Sequence, residues 1–304
     1  MAEAPAALAS SRRRRPLQGA VLLALGACAV VSILVTVGIV VTLLEEGAGF
    51  FADVSVVDFL TGREWFPISG QFGVLPLLSA SLLIAGIAAL VAVPIGLGAA
   101  IYLADYASER VRRIVKPVLE LLAGMPTIVL GFFALDSVTP FLQRIGILSD
   151  DQTFSALSAG IVVGVLVTPL ISSLSEDAMR AVPTSMREGA YGVGATRRQV
   201  ATRIVFPAAL SGIMASIVLA LSRAVGETMA VTLAAGTQPN LTANPLEGMQ
   251  TITAYIVQVS QGEAARGSIQ YESIFAVGIL LFVVTFLINV VAVRLVRRYR
   301  TVYA

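Results

Sequence analysis

The sequence predicts an all-α membrane protein with six transmembrane helices and both termini cytoplasmic. Hydrophobic residues make up 57% of the 304-residue chain and charged residues 13%, and the mean hydropathy is +0.86. Soluble domains run at about 45–50% apolar and about 25% charged, so this chain has too little polar surface to coat a globule. Six apolar runs approach or exceed the roughly 20 residues needed to cross a hydrocarbon core: 19–44, 74–103, 118–135, 156–174, 208–235 and 274–296. Basic residues then alternate in the manner that sets orientation. With the N-terminus inside, 17 of the 21 Lys and Arg fall in inside segments and three in outside loops, and Arg223 lies within a span.

Taken in order, residues 1–18 read as a disordered cytoplasmic N-terminus carrying Arg12, Arg13, Arg14 and Arg15. The first span, 19–44, begins like a secretory signal, and Leu25-Gly26-Ala27-Cys28 resembles a lipoprotein cleavage box. Its apolar run continues sixteen residues past Cys28, whereas cleavable apolar regions are about 7–15 residues long, so it reads as an uncleaved helix. Residues 45–73 form an extracytoplasmic loop, 74–296 the core, and 297–304 a cytoplasmic tail. In the core, Pro94 and Thr168-Pro169 are expected to kink or open their helices. Gly160-x3-Gly164 fits close helix packing. Glu120, three residues after Pro117, is expected in the first turn of the third span, where the helix dipole favours a carboxylate.

Three absences prune the chemistry. The chain has no His, which excludes Ser-His-Asp triads and His-ligated metal centres. Its one Cys excludes an intrachain disulfide and a thiolate cluster. Its one Lys, Lys116, follows Val115, so no phosphate-binding GxxxxGK[ST] loop is present. Nothing points to a catalytic residue, a metal site or a nucleic-acid partner.

The stretch 175–207 carries the most information. Ser185 precedes Glu188 by three and Thr196 precedes Gln199 by three, which predicts two capping boxes. Gly192-Val193-Gly194 between them permits a sharp reversal, and Pro207 ends the second segment and opens the fifth span. The expected object is a helical hairpin at the membrane surface. By these residues alone it is either an amphipathic connector or a rigid piece that passes force to a partner. The spacing of Glu188, Gly189, Ala190, Gly194, Ile204 and Pro207 resembles the EAA loop of bacterial ABC importer permeases, with Gly189 in place of an Ala and Phe206 in place of a Leu. The resemblance implies the type I importer permease fold. It also implies that this loop docks on a separate ATP-binding subunit, which would carry the ATP and Mg that this chain cannot hold.

Arg223 and Glu227 lie near the middle of the fifth run, four apart and so on one face of a continuous helix. An ionised side chain at mid-bilayer costs about 2.5–3.5 kcal/mol, which turns both inward. They are either part of a pathway or a self-neutralising pair. Arg223, Gly226, Glu227 and Thr228 resemble the RxxGET motif of phosphate-importer permeases. Stretches such as FLTGREWFP, VPIGLGAAIYLADYA and VLELLAGMPTIVLGFFAL are similar to the C-type permease of that family over roughly residues 58–235. The resemblance implies an anion path at Arg223, Glu227 and Thr228. Because a transporter must release what it binds, Glu227 is expected to hold Arg223 and temper its grip on the anion.

It further implies a second permease in a heterodimer, a dimer of ATP-binding subunits, an extracytoplasmic phosphate-binding protein, and a multi-pass place in the cell membrane. The loop 45–73, with the lone Trp65, is the candidate receiving surface for the binding protein. A permease for molybdate, sulfate or phosphonate, and a membrane signalling subunit that passes nothing, remain the alternatives.

Overall fold

The computed structural model describes residues 15–262 and 264–298. Most of the predicted disordered N-terminus and of the C-terminal tail lie outside the described residues. α1 (Arg15–Asp53) starts at Arg15 and runs for 39 residues, past the predicted end of the first span. Its extension is held by packing. Phe50 is fully buried, and a Cβ on Gly47 would stand 2.4 Å from Ile279 Cδ1, so this end of α1 lies directly on the last helix.

The rest of the stretch 45–73 is ordered around aromatic rings. α2 (Val56–Thr61) leads into a hairpin of β1 (Trp65–Phe66) and β2 (Gln71–Phe72), paired Trp65 to Phe72 and Phe66 to Gln71. Trp65 is 1% exposed and meets the rings of Tyr255 and Phe72 edge-on, at 4.9 and 5.9 Å between centroids. It is the core of this end of the molecule, so Trp65 itself is not part of the surface that the loop 45–73 presents. Ile68 at the hairpin tip, 93% exposed, is the most exposed of several apolar side chains the loop presents, Val57 and Phe66 among them.

α3 (Leu75–Ile101) continues into a wide π turn, Tyr102–Tyr106. α4 (Glu109–Ala123) follows, N-capped by the Ser108 hydroxyl, which accepts from the Val111 N–H at 3.4 Å. Then come α5 (Thr127–Phe133), a π turn, α6 (Thr139–Arg144) and α7 (Ala156–Arg180). The third predicted span is therefore not one helix: the chain bends by 89° between Glu109–Ala123 and Thr127–Arg144. Pro126 is extended, at φ −58 and ψ 126, and proline also keeps the residue before it out of the helical region. Glu120 consequently stands in the last turn of α4, not in the first turn of a span. α3 and α7, by contrast, run on through Pro94 and Pro169 without ending.

Beyond α7 lie α8 (Thr184–Gly192), α9 (Arg197–Gln199), a π turn, and α10 (Phe206–Ala208). α11 (Leu210–Val225), α12 (Met229–Ala235), α13 (Ile252–Gln261) and α14 (Ile269–Arg298) complete the chain. The fifth predicted span is broken twice. It bends by 70° between Arg197–Ala208 and Leu210–Val225, and it stops at Val225 before restarting at Met229. Among the described residues, four helices, α1, α3, α7 and α14, are long and apolar enough to cross a membrane, and each of the two bent pairs could form one more span.

The main core is the seam between α3 and α7, the most extensive helix contact in the molecule. Glycine makes it possible. A Cβ on Gly160 would lie 2.6 Å from Ile87 Cβ, and one on Gly164 would lie 2.8 Å from Val91 Cβ. Gly160→Val or Gly164→Val should therefore cost about 1–3 kcal/mol or more through overpacking. The same test on Gly86, whose Cβ would meet open space, should leave Gly86→Ala neutral. Thermal unfolding of the purified variants in one detergent checks both.

Candidate functional site

The predicted pathway residues sit at the second break of the fifth run. α11 ends at Val225 with Gly226 as its C-cap, so Arg223 and Glu227 do not share one continuous helix. Arg223 is exposed, and its Nη2 donates to the Ala123 carbonyl at 3.5 Å. That carbonyl belongs to the last turn of α4, where terminal carbonyls lack partners within the helix and the dipole favours a cation. Glu227 is 8% exposed. Its Oε1 accepts the Ala230 N–H at 3.4 Å, and its main-chain carbonyl accepts the Thr253 hydroxyl at 2.7 Å. Thr228, half-buried, donates its hydroxyl to the Gly226 carbonyl at 3.1 Å.

Among the described residues no ion pair joins Arg223 to Glu227. The expectation that Glu227 tempers Arg223 is corrected for a local reason. A helix that restarts inside the protein exposes first-turn N–H groups, and the Glu227 carboxylate answers one of them. Farther along the chain, the first turn of α13 is answered by side chains in the same way. The Thr251 hydroxyl caps α13 by accepting from Ala254 N–H at 3.2 Å, and Ser81 on α3 accepts the Ile252 N–H at 3.1 Å.

The predicted hairpin is present in the segment 181–208. Its second capping box forms, with the Thr196 hydroxyl accepting the Gln199 N–H at 3.4 Å and the Gln199 side chain accepting the Thr196 N–H at 2.8 Å. The first does not: α8 starts at Thr184 behind Pro183 and has no side-chain cap, so Ser185 lies inside the first turn. The reversal is made by Gly194, at φ +84. Val182, Val200, Val205 and Ala208 bury one face of the hairpin against Ala100, Met179 and Ile213, and Ala190 and Ile204 are half-buried. Glu188, Gly189, Gly194 and Pro207 face outward. An open groove of about 610 Å³ runs between the two arms, lined by Met186, Gly189, Ala190, Val193 and Ile204. A Cβ on Gly189 would meet nothing within 4 Å, so that position is free for a partner's side chain. Val193, 87% exposed, stands at the tip.

Of two sets of contacts here, one fastens the hairpin directly and the other ties α4 to the end of α7 just before it. Arg187 pairs with Asp105 in the π turn after α3 and also donates to the Met179 carbonyl at 2.8 Å. The Arg197 guanidinium lies 5.2 Å over the Tyr106 ring. The larger set centres on Glu176, 0% exposed near the end of α7. Arg112 Nε and Lys116 Nζ each lie 2.7 Å from its carboxylate, and Arg180 Nε lies 3.7 Å away. Lys116 also reaches Asp177, and Arg180 and Arg112 reach Glu109 at 3.5 and 3.6 Å. A carboxylate so buried is retained only when paired, and removing one partner of such a pair costs about 3–5 kcal/mol. The signal for it was in the spacing: Arg112 and Lys116 are one helical turn apart, as are Glu176 and Arg180.

With this geometry established, known proteins are similar as follows. The family described as "Binding-protein-dependent transport system inner membrane component" matches residues 92–301. A Bacillus subtilis protein named as a probable ABC transporter permease, YqgH, is 34% identical over 287 residues, covering 92% of this chain and 91% of that one. The phosphate transport system permease protein PstC of Mesorhizobium japonicum is 34% identical over 311 aligned positions, covering 95% and 94%. Among solved structures, a chain of a bacterial ABC transporter involved in import of the acidic polysaccharide alginate superposes with a TM-score of 0.66. It is 19% identical and covers 96% of this chain and 100% of that one. A chain of the inward-facing MetNI methionine ABC transporter gives 0.56 at 20% identity, covering 75% and 95%. At these identities the structural likeness is one of fold.

The two capping sites predict opposite outcomes. Thr196→Ala should loosen the second arm of the hairpin by about 1 kcal/mol, the usual cost of a lost cap, seen as faster amide hydrogen exchange over 196–205. Ser185→Ala should leave the exchange of α8 unchanged.

Proposed function

The chain belongs to the family of binding-protein-dependent transport system inner membrane components, and on that premise we propose that it is one transmembrane permease of an ATP-driven importer of inorganic phosphate. The observation that carries the reading is the exposed Arg223 guanidinium at the helix break Gly226-Glu227-Thr228. It occurs in a chain whose relatives over nearly its full length include a phosphate transport permease. The four long helices and the two bent pairs make six spans, with both termini on the cytoplasmic side where the Lys and Arg gather.

A charge at that depth cannot face lipid without a cost of about 2.5–3.5 kcal/mol. The face of α11 that carries Arg223 therefore turns toward a second permease, and the anion path runs between the two. A guanidinium suits the task, because its fixed fork of donors can grip two oxygens of a phosphate while its charge never titrates away. Thr228 adds a hydroxyl at the turn. Glu227 serves the path by fixing that turn through its bonds to Ala230 and Thr253.

The hairpin with Glu188, Gly189, Ala190, Gly194, Ile204 and Pro207 is the coupling piece. It presents its groove and Val193 to an ATP-binding subunit, which supplies the phosphate loop this sequence lacks and holds ATP with Mg. An extracytoplasmic binding protein delivers phosphate to the opposite end, near the exposed Ile68.

Uptake of labelled phosphate by the whole complex in cells lacking other phosphate importers tests this reading. Arg223→Ala should reduce uptake by at least about tenfold at equal membrane levels, and Arg223→Lys should keep part of it, having the charge without the fork. Normal uptake by Arg223→Ala would refute the anion path proposed here. Excess unlabelled phosphate should suppress the signal, and suppression by sulfate or molybdate in its place would reassign the substrate.

A further inference from the structure

Helix α4 is attached at one part to the end of α7, which leads into the hairpin, and at its other end to Arg223, and the two attachments differ in strength. Near its start, Arg112 and Lys116 are bound at 2.7 Å to the fully buried Glu176, with Asp177, Arg180 and Glu109 closing the set. Glu176, Asp177 and Arg180 occupy the end of α7, immediately before the turn into the hairpin. At the far end of α4, the Ala123 carbonyl accepts Arg223 at 3.5 Å, long for an N–H···O bond and correspondingly weak. The 15 residues of α4 reach about 22 Å at the helical rise. One element, held firmly through the buried Glu176 at the end of α7 that leads into the hairpin, and lightly at the anion path, therefore joins two sites distant along the chain.

We propose that α4 is a lever through which movement of the coupling hairpin changes the availability of Arg223, with Glu176 as the positioning residue that fixes its driven end. The proposal rests on reading Arg223 as the path residue. When the end of α7 moves with the hairpin, the ion pairs carry α4 with it, and the Ala123 carbonyl shifts relative to Arg223. With the carbonyl in place, a donor of the guanidinium is occupied and the negative end of the α4 dipole competes with an anion. With the carbonyl withdrawn, the full fork is open to phosphate. The restraint that a transporter needs in order to release its cargo thus comes from a helix terminus under the control of the coupling loop.

The experiment uses the full complex in lipid nanodiscs and proteoliposomes, in a Cys28→Ser background. Spin labels go on the exposed Leu121→Cys of α4 and Leu219→Cys of α11. The distance between them should change when ATP is bound under hydrolysis-blocked conditions, and Glu176→Gln should abolish that change. In the same variant, phosphate imported per ATP hydrolysed should fall about tenfold, within the usual range of coupling between linked sites, with Glu176→Asp restoring much of it. If Glu176→Gln does not assemble, Lys116→Gln, which leaves Arg112 and Arg180 on Glu176, is judged by the same two readouts. A label distance that ATP leaves fixed, a change that survives in the Gln variant, or an unaltered ratio of phosphate to ATP would overturn the lever. The label distance needs no substrate, so it separates this failure from failure of the phosphate reading, which shows instead as normal transport by Arg223→Ala.

Discussion

Inside hydrocarbon a backbone N–H or C=O has no water to turn to, and this constraint governs where the helices of this protein can be interrupted. Two of the three breaks in apolar runs, after Ala123 and after Val225, occur where protein groups answer the freed backbone. At the second, a carboxylate answers the restarted helix, a threonine hydroxyl answers the Glu227 carbonyl, and Ser81 answers the first amide of α13. At the first, the terminal Ala123 carbonyl is answered by a guanidinium. The two breaks meet each other through that bond, so the interruption of one span is satisfied by the residue that marks the interruption of the other.

The same accounting holds for charge. Glu176 has no exposure at all, and a carboxylate in that position survives because Arg112, Lys116 and Arg180 surround it. The cluster makes α4 and the end of α7 one body. Next to it, Arg187 and Arg197 tie the hairpin to the π turn that ends α3. The hairpin itself is attached by charge to that π turn, and to the core by the apolar contacts of Val200, Val205 and Ala208. Close packing of α3 on α7 through Gly160 and Gly164 makes that core stiff.

Much of this was legible beforehand. Composition and the placement of arginine announced a multi-helix membrane protein, and the spacing of Glu188, Gly194, Ile204 and Pro207 located the hairpin. The Thr196 capping box and the Gly194 reversal depend on neighbours three or four residues away, and they appear in the structure as expected. Ser185 was misjudged because its spacing to Glu188 fits a capping box equally well one turn into a helix, and Pro183 had already set the start. Glu120 was misplaced because Pro117 looked like a helix start, although Ser108 begins α4 nine residues earlier. The burial of Trp65 depends on Phe59, Phe72 and Tyr255, which pack on it from three separate elements, and no local pattern around Trp65 carries that information.

By itself the sequence determined the solvent of each segment, the turns and caps set by short-range bonding, and the residues that carry charge into the apolar runs. These follow from properties that a residue shares with its immediate neighbours. Only the tertiary structure decided what those charges meet. Glu227 is four residues from Arg223 and turns to its own helix, while Arg223 finds the carbonyl of a residue 100 positions away. Glu176 likewise draws two of its cations from a helix some 60 residues earlier. The physical reason is that a desolvated charge or backbone group must be satisfied by whatever packing brings within reach, and that choice is made in space, not along the chain.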